Sequence, residues 1–120
     1  MKSPYDTHLD RNKANYQPLS PVNFLVRAAA VYPNKTAVIH GSKRYSYDEF
    51  YTRSRRLASS LSNRGVGQGD TVSIMAPNIP ALLEAHYGVP MIGAVLNALN
   101  IRLDAPPSLL CSIMVKRRLF

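Results

Sequence analysis

Tryptophan is missing from the 120 residues, cysteine occurs once, at Cys111, and charged residues make up 18%, well under the roughly 25% of an average globular domain. One cysteine excludes an intrachain disulfide framework and any zinc site built from thiolates. No apolar run approaches the ~18 residues that a membrane span requires. The opening Met1-Lys2-Ser3-Pro4-Tyr5-Asp6 carries an acid and no apolar core, so it does not resemble a signal peptide, and a cytoplasmic location is expected. Sparse charge beside 46% hydrophobic residues also excludes a disordered acidic or basic tail. What remains is a chain with the length of one domain, able to bury roughly two thirds of its unfolded surface.

Acids are the scarcer charge. Fifteen basic residues oppose seven acidic ones, a net +8, which raises the question of nucleic acid. Lys116, Arg117 and Arg118 close the chain without a neighbouring acid, and the remaining basic residues are scattered except for Lys43-Arg44 and the group Arg53, Arg55, Arg56. No aromatic residues alternate with these charges as a base-stacking platform requires. A solvated basic surface is expected, with no nucleic-acid partner.

Residues 1–19 read as an extended leader, punctuated by Pro4 and Pro18. Ser20-Pro21 is an N-cap followed by a first-turn proline. The helix it opens carries Val22, Leu25, Val26, Ala29 and Ala30 at helical spacing and stops at Tyr32-Pro33-Asn34. Thr36–His40 and Lys43–Tyr45 flank the turn Gly41-Ser42, which predicts a hairpin. Ser46 and Glu49 stand at capping-box spacing. The helix after them places Phe50, Leu57, Ala58 and Leu61 on one face and ends at Gly65. Thr71–Met75 has the continuous apolar character of a strand buried on both faces of a parallel sheet. A third helix follows Pro80, with Leu82, Leu83, His86 and Met91 as its apolar side despite Pro90, and Ala94–Ala98 is a further strand. Helix, hairpin, helix, strand, helix, strand predicts an α/β fold with parallel crossovers.

None of these elements displays an active site. Gly65-Val66-Gly67-Gln68-Gly69-Asp70 follows a helix and opens a strand, the reverse of a phosphate cradle, so the nearest helix dipole faces the wrong way for an anion. No G-x-x-x-x-G-K-[ST], G-x-G-x-x-G or G-x-S-x-G pattern occurs. His8, His40 and His86 share no metal-ligand spacing, and Asp48 and Glu49 are committed to a helix start. His86 is expected to be a hydrogen-bonded structural histidine, and Cys111 an inert buried thiol. No catalytic, cofactor-binding or metal-binding residue is assigned.

Several segments nevertheless resemble one family. Ser20-Pro21-Val22-Asn23-Phe24-Leu25 through Tyr32-Pro33-Asn34-Lys35-Thr36-Ala37-Val38 is similar to the beginning of AMP-forming acyl-CoA synthetases, the adenylate-forming ligases. Arg44-Tyr45-Ser46-Tyr47-Asp48-Glu49-Phe50 resembles that family's first core motif. Gly69-Asp70-Thr71-Val72-Ser73-Ile74-Met75-Ala76-Pro77-Asn78 resembles the strand and turn after it. Met91-Ile92-Gly93-Ala94-Val95-Leu96-Asn97 resembles the second core motif, and Asn100-Ile101-Arg102-Leu103-Asp104 continues in the style of the medium-chain branch.

The resemblance implies the N-terminal part of the large ligase domain over 20–104, preceded by the leader 1–19. It also implies a fatty-acid or other carboxylate substrate, with ATP, Mg²⁺ and coenzyme A used by the full-length parent. The phosphate loop, ribose-binding Asp and late catalytic Lys of such enzymes do not occur in these residues, so no cofactor is assigned to this chain. Its implied partner is the remainder of a synthetase. Glu49 is explained by capping and Gly93 by close packing. Residues 105–120 diverge: Pro106-Pro107 stands where a helix should begin, and a reading-frame change near Ala105 is one origin consistent with that. The alternative from another class is a small stand-alone basic interaction module without catalysis.

Overall fold

A computed structural model of the chain describes residue 7, residues 10–102 and the backbone of residues 117–119. His8, Cys111 and the proline pair at 106–107 lie outside the described residues. The elements run α1 (Pro21–Val31), β1 (Thr36–His40), β2 (Lys43–Ser46), α2 (Tyr47–Asn63), β3 (Thr71–Met75), α3 (Pro80–Met91), β4 (Val95–Leu99) and β5 (Arg117–Leu119). The fold is mixed α/β, as expected.

Local chemistry accounts for the boundaries. Before α1, Asn12 and Asn15 close a turn: the Asn12 side chain accepts from the Ala14 amide at 2.8 Å, and the Asn12 amide donates to Asn15 Oδ1 at 2.9 Å. Ser20 Oγ accepts from the Val22 amide at 3.3 Å, with Pro21 in the first turn of α1. The α2 start is more complete. Ser46 Oγ accepts from the Glu49 amide at 3.2 Å, and Glu49 Oε2 accepts from the Ser46 amide at 2.8 Å. The Tyr47 and Asp48 amides donate to the carbonyls of Lys35 and Pro33. The first-turn donors that every helix leaves unpaired are therefore satisfied here. After α2, Gly65 takes φ +81°, a left-handed conformation costly for any residue with a Cβ.

β1 and β2 pair antiparallel with His40 opposite Lys43, and the register slips between Thr36 and Val38. β3 lies between β4 and β5, parallel to both. Val72 and Ser73, which point to opposite faces, are both buried, while Met75 at the strand end is exposed. The expectation of two-sided burial thus holds at the centre of β3.

Two apolar clusters join the layers. Leu61, Val66, Val72, Ala85, Val89 and Ala94 pack α2 and α3 onto the parallel sheet. Leu25, Val38 and Phe50 gather α1, the hairpin and α2, and the Phe50 and Tyr87 rings meet edge to face, centroids 5.2 Å apart. One sequence expectation is corrected. The buried residues of α3 are Glu84, Ala85, Gly88 and Val89; of the expected set, Met91 packs half-buried against the Leu25–Val38–Phe50 cluster and Leu82 is half-buried, while Leu83 and His86 are exposed. α3 crosses α2 closely enough that a Cβ on Gly88 would sit 2.8 Å from the Ser54 carbonyl oxygen. Small residues face the neighbouring helix because large ones would hold it away.

Candidate functional groove

A groove of about 570 Å³ lies between β1 and the N-terminal half of α3. Val38, Ile39 and His40 form one wall, and Ile79, Leu82, Leu83, His86 and Tyr87 the other, with Pro21, Asn78 and Pro80 completing it. β-branched residues put β1 into an extended strand, and Pro80 starts α3 immediately beyond the β3 loop, so the two walls face each other across the carboxyl end of β3. Carboxyl ends of parallel strands are where open α/β sheets bind ligands.

The lining is mostly apolar. Among the described residues no carboxylate, ammonium or guanidinium contributes to it; their polar groups are the imidazoles of His40 and His86 and the Asn78 amide. The Nδ1 of His86 lies 2.8 Å from the Leu82 carbonyl oxygen, within its own helix. It is hydrogen-bonded, as expected, but it sits on the exposed groove side of α3 instead of in the core. The groove brings His40 and His86 to one site, although neither has an acid beside it. Such a lining excludes water from an apolar partner; it offers no nucleophile–base pair.

The residues present do not fit ATP or its magnesium ion. The strand–loop–helix Met75-Ala76-Pro77-Asn78-Ile79-Pro80 occupies the position of a phosphate loop but has no glycine. Pro77 and Pro80 carry no N–H, and the Ile79 amide is spent on the Pro77 carbonyl at 2.7 Å. The glycine cluster is equally closed: the Gly67 amide donates to Asp70 Oδ2 at 2.9 Å and the Gly69 amide to the Gly93 carbonyl. Gly93 itself takes φ +74°, with Gln68 against the space a Cβ would fill. Among the described residues no three His, Cys, Asp or Glu side chains stand close enough to hold a metal ion. No helix among them is long and apolar enough to cross a membrane.

Sequence reasoning missed one charged pair. Arg53 on α2 grips Glu84 on α3, Nε to Oε1 at 2.5 Å and Nη2 to Oε2 at 3.4 Å, while its guanidinium also lies 4.7 Å from the centre of the Tyr45 ring. The hydrogen bond to Glu84 holds the guanidinium pKa above its ordinary value against the opposing effect of burial. The two residues are 31 positions apart, so no spacing rule connects them. The sole clue in the sequence was an acid inside an apolar helix.

A family model described as AMP-binding enzyme matches residues 25–107. An acetate/butyrate–CoA ligase of Arabidopsis thaliana, AAE7, named as peroxisomal, is 58% identical over 98 residues, covering 82% of this chain and 17% of its own. An acetate–CoA ligase of Humulus lupulus, CCL3, is 55% identical over 97 residues, covering 81% and 17%. Among solved structures, a protein of Rhodopseudomonas palustris described as a long-chain-fatty-acid CoA ligase superposes with a TM-score of 0.74 at 32% identity. That match covers 78% of this chain and 24% of the other. The chain thus spans about a sixth of the length of the curated relatives it matches.

Proposed function

The chain belongs to the AMP-binding enzyme family, and from that membership we propose that it is the N-terminal part of a carboxylate–CoA ligase, contributing scaffold and no reacting group. The observation that carries this is the coincidence of 58% identity to a ligase with a glycine-free loop after β3 and a glycine cluster whose Gly67 and Gly69 amides are already paired. Full-length members use ATP, Mg²⁺ and coenzyme A. They convert a carboxylic acid to an acyl-adenylate with release of pyrophosphate, and then pass the acyl group to the thiol. Acetate and butyrate, the acids in the relatives' names, are the substrates to test first, ahead of longer fatty acids.

The test is a chimera in which this chain's residues 4–104 replace the matched segment of the Arabidopsis ligase. Acetate-dependent ATP–pyrophosphate exchange should survive to within about tenfold, or 1.4 kcal/mol of barrier. The 120-residue chain by itself should show no exchange with either acid. Loss of activity in a folded chimera would overturn the ligase assignment, and exchange by the chain alone would overturn the scaffold role.

The divergence at 105–120 belongs to the same proposal. The family match stops at residue 107, close to where the ligase-like pattern ends. A frame change near Ala105 predicts that the DNA beyond, read in another frame, encodes a Ser/Thr/Gly-rich loop ending in Pro-Lys-Gly. Absence of that loop from every frame removes the frame change. The compartment is proposed to be the cytoplasm, with the peroxisome of the Arabidopsis relative's name as the rival; a fluorescent fusion distinguishes them.

A further inference from the structure

Resting on the ligase assignment above, we propose that the groove between β1 and α3 is the seat of a later part of the ligase polypeptide, which lays apolar side chains between Ile39 and Leu83. The groove's chemistry selects this occupant. About 570 Å³ accommodates several side chains, and sites of this size are ordinary ligand volumes. A nucleotide or coenzyme A is poorly matched, because its phosphates would find no cation among the described lining residues and no glycine in the loop beside it. An apolar protein segment finds facing walls of matching character. Ile39 is 65% exposed and Leu83 40%. Single exposed aliphatic residues need no explanation, but these two face one groove together with Ile79 and Leu82. A contiguous apolar recess of that kind marks an interaction surface.

The relatives identify the source. In the Arabidopsis ligase the matched segment is 17% of the polypeptide, so roughly five sixths of that chain must find places around this unit. The family match includes every lining residue except Pro21, so the groove is built from the part of the chain that the ligases share. A second copy of this chain is the competing occupant, and the experiment separates the two.

Ile39→Cys and Leu83→Cys, each in a Cys111→Ser background, are made in the chimera and in the 120-residue chain. Alkylation by iodoacetamide is followed at each introduced thiol by peptide mass spectrometry. In the active chimera both thiols should react at least ~10-fold more slowly than after urea unfolding, because a covered thiol is inaccessible to the reagent. In the chain alone they should react at close to the unfolded rate. An active chimera with freely reacting thiols overturns the groove assignment and leaves the ligase assignment standing. Equal protection in the chain alone, accompanied by a dimer in light scattering, overturns the choice of occupant in favour of a second copy. An inactive chimera overturns the ligase assignment, and this proposal falls with it.

Discussion

Glu84 and Arg53 are unequal partners. The Glu84 side chain is 10% exposed and that of Arg53 43%, so water can replace Glu84 around the arginine but cannot readily replace Arg53 around the carboxylate. Arg53→Met should cost about 1–3 kcal/mol, the penalty of a buried group left unpaired, reduced because half-exposed pairs are screened. Glu84→Gln should cost less. The elevated Arg53 pKa contributes stability that is complete below the ordinary guanidinium range and lost only as pH rises through the folded value. Between pH 5 and 8, then, the wild-type pair should add no pH dependence. Urea unfolding at both ends of that pH range reads the difference, and equal costs for the two substitutions would show that burial is not what sets the asymmetry.

At the scale of the element, each helix depends on a different device. α2 depends on its cap: Ser46→Ala removes the acceptor for the Glu49 amide and should cost about 1 kcal/mol. α3 depends on what it lacks. Alanine is the better helix former by roughly 1 kcal/mol, yet Gly88→Ala would press a methyl group 2.8 Å from the Ser54 carbonyl and 3.2 Å from Leu57 Cβ. Overpacking of about 1–3 kcal/mol outweighs the propensity gain. Thermal melting should show Gly88→Ala less stable than wild type, and a raised melting temperature would mean that the α2–α3 contact yields at no cost.

Across the whole molecule, the apolar surface exceeds what three helices and short sheets cover. Outside the groove, Phe24, Val31, Met75 and Val95 are each more than half exposed. β5 pairs with one edge of β3, but the outer edge of β4 has no strand beside it among the described residues. Open edges and exposed apolar patches template association. The 120-residue chain should form soluble oligomers through these residues and the β4 edge, leaving the groove open, and should bind a dye for apolar surfaces; the ligase chimera should do neither. A monodisperse, dye-silent chain would show that the exposed surface is stable without a partner.

What the sequence determined by itself was local. Ser20-Pro21, the Ser46–Glu49 box, Gly65 and the hairpin turn each act within a few residues, so helix starts, stops and the order of elements through β4 were legible, as was the glycine cluster's place between a helix and a strand. The family resemblance was legible too, because it lies in contiguous motifs. The tertiary structure alone decided which side of α3 faces inward. Periodicity ranks residues by hydrophobicity and favours Leu82 and Leu83, but close helix approach selects by size, which turns Gly88 and Ala85 towards α2. With those small residues inside, Glu84 comes within reach of Arg53, and Leu83 and His86 are left on the groove opposite Ile39 and His40. These contacts join residues some 30 to 50 positions apart, and only the packing of α3 against α2 and β1 brings them together.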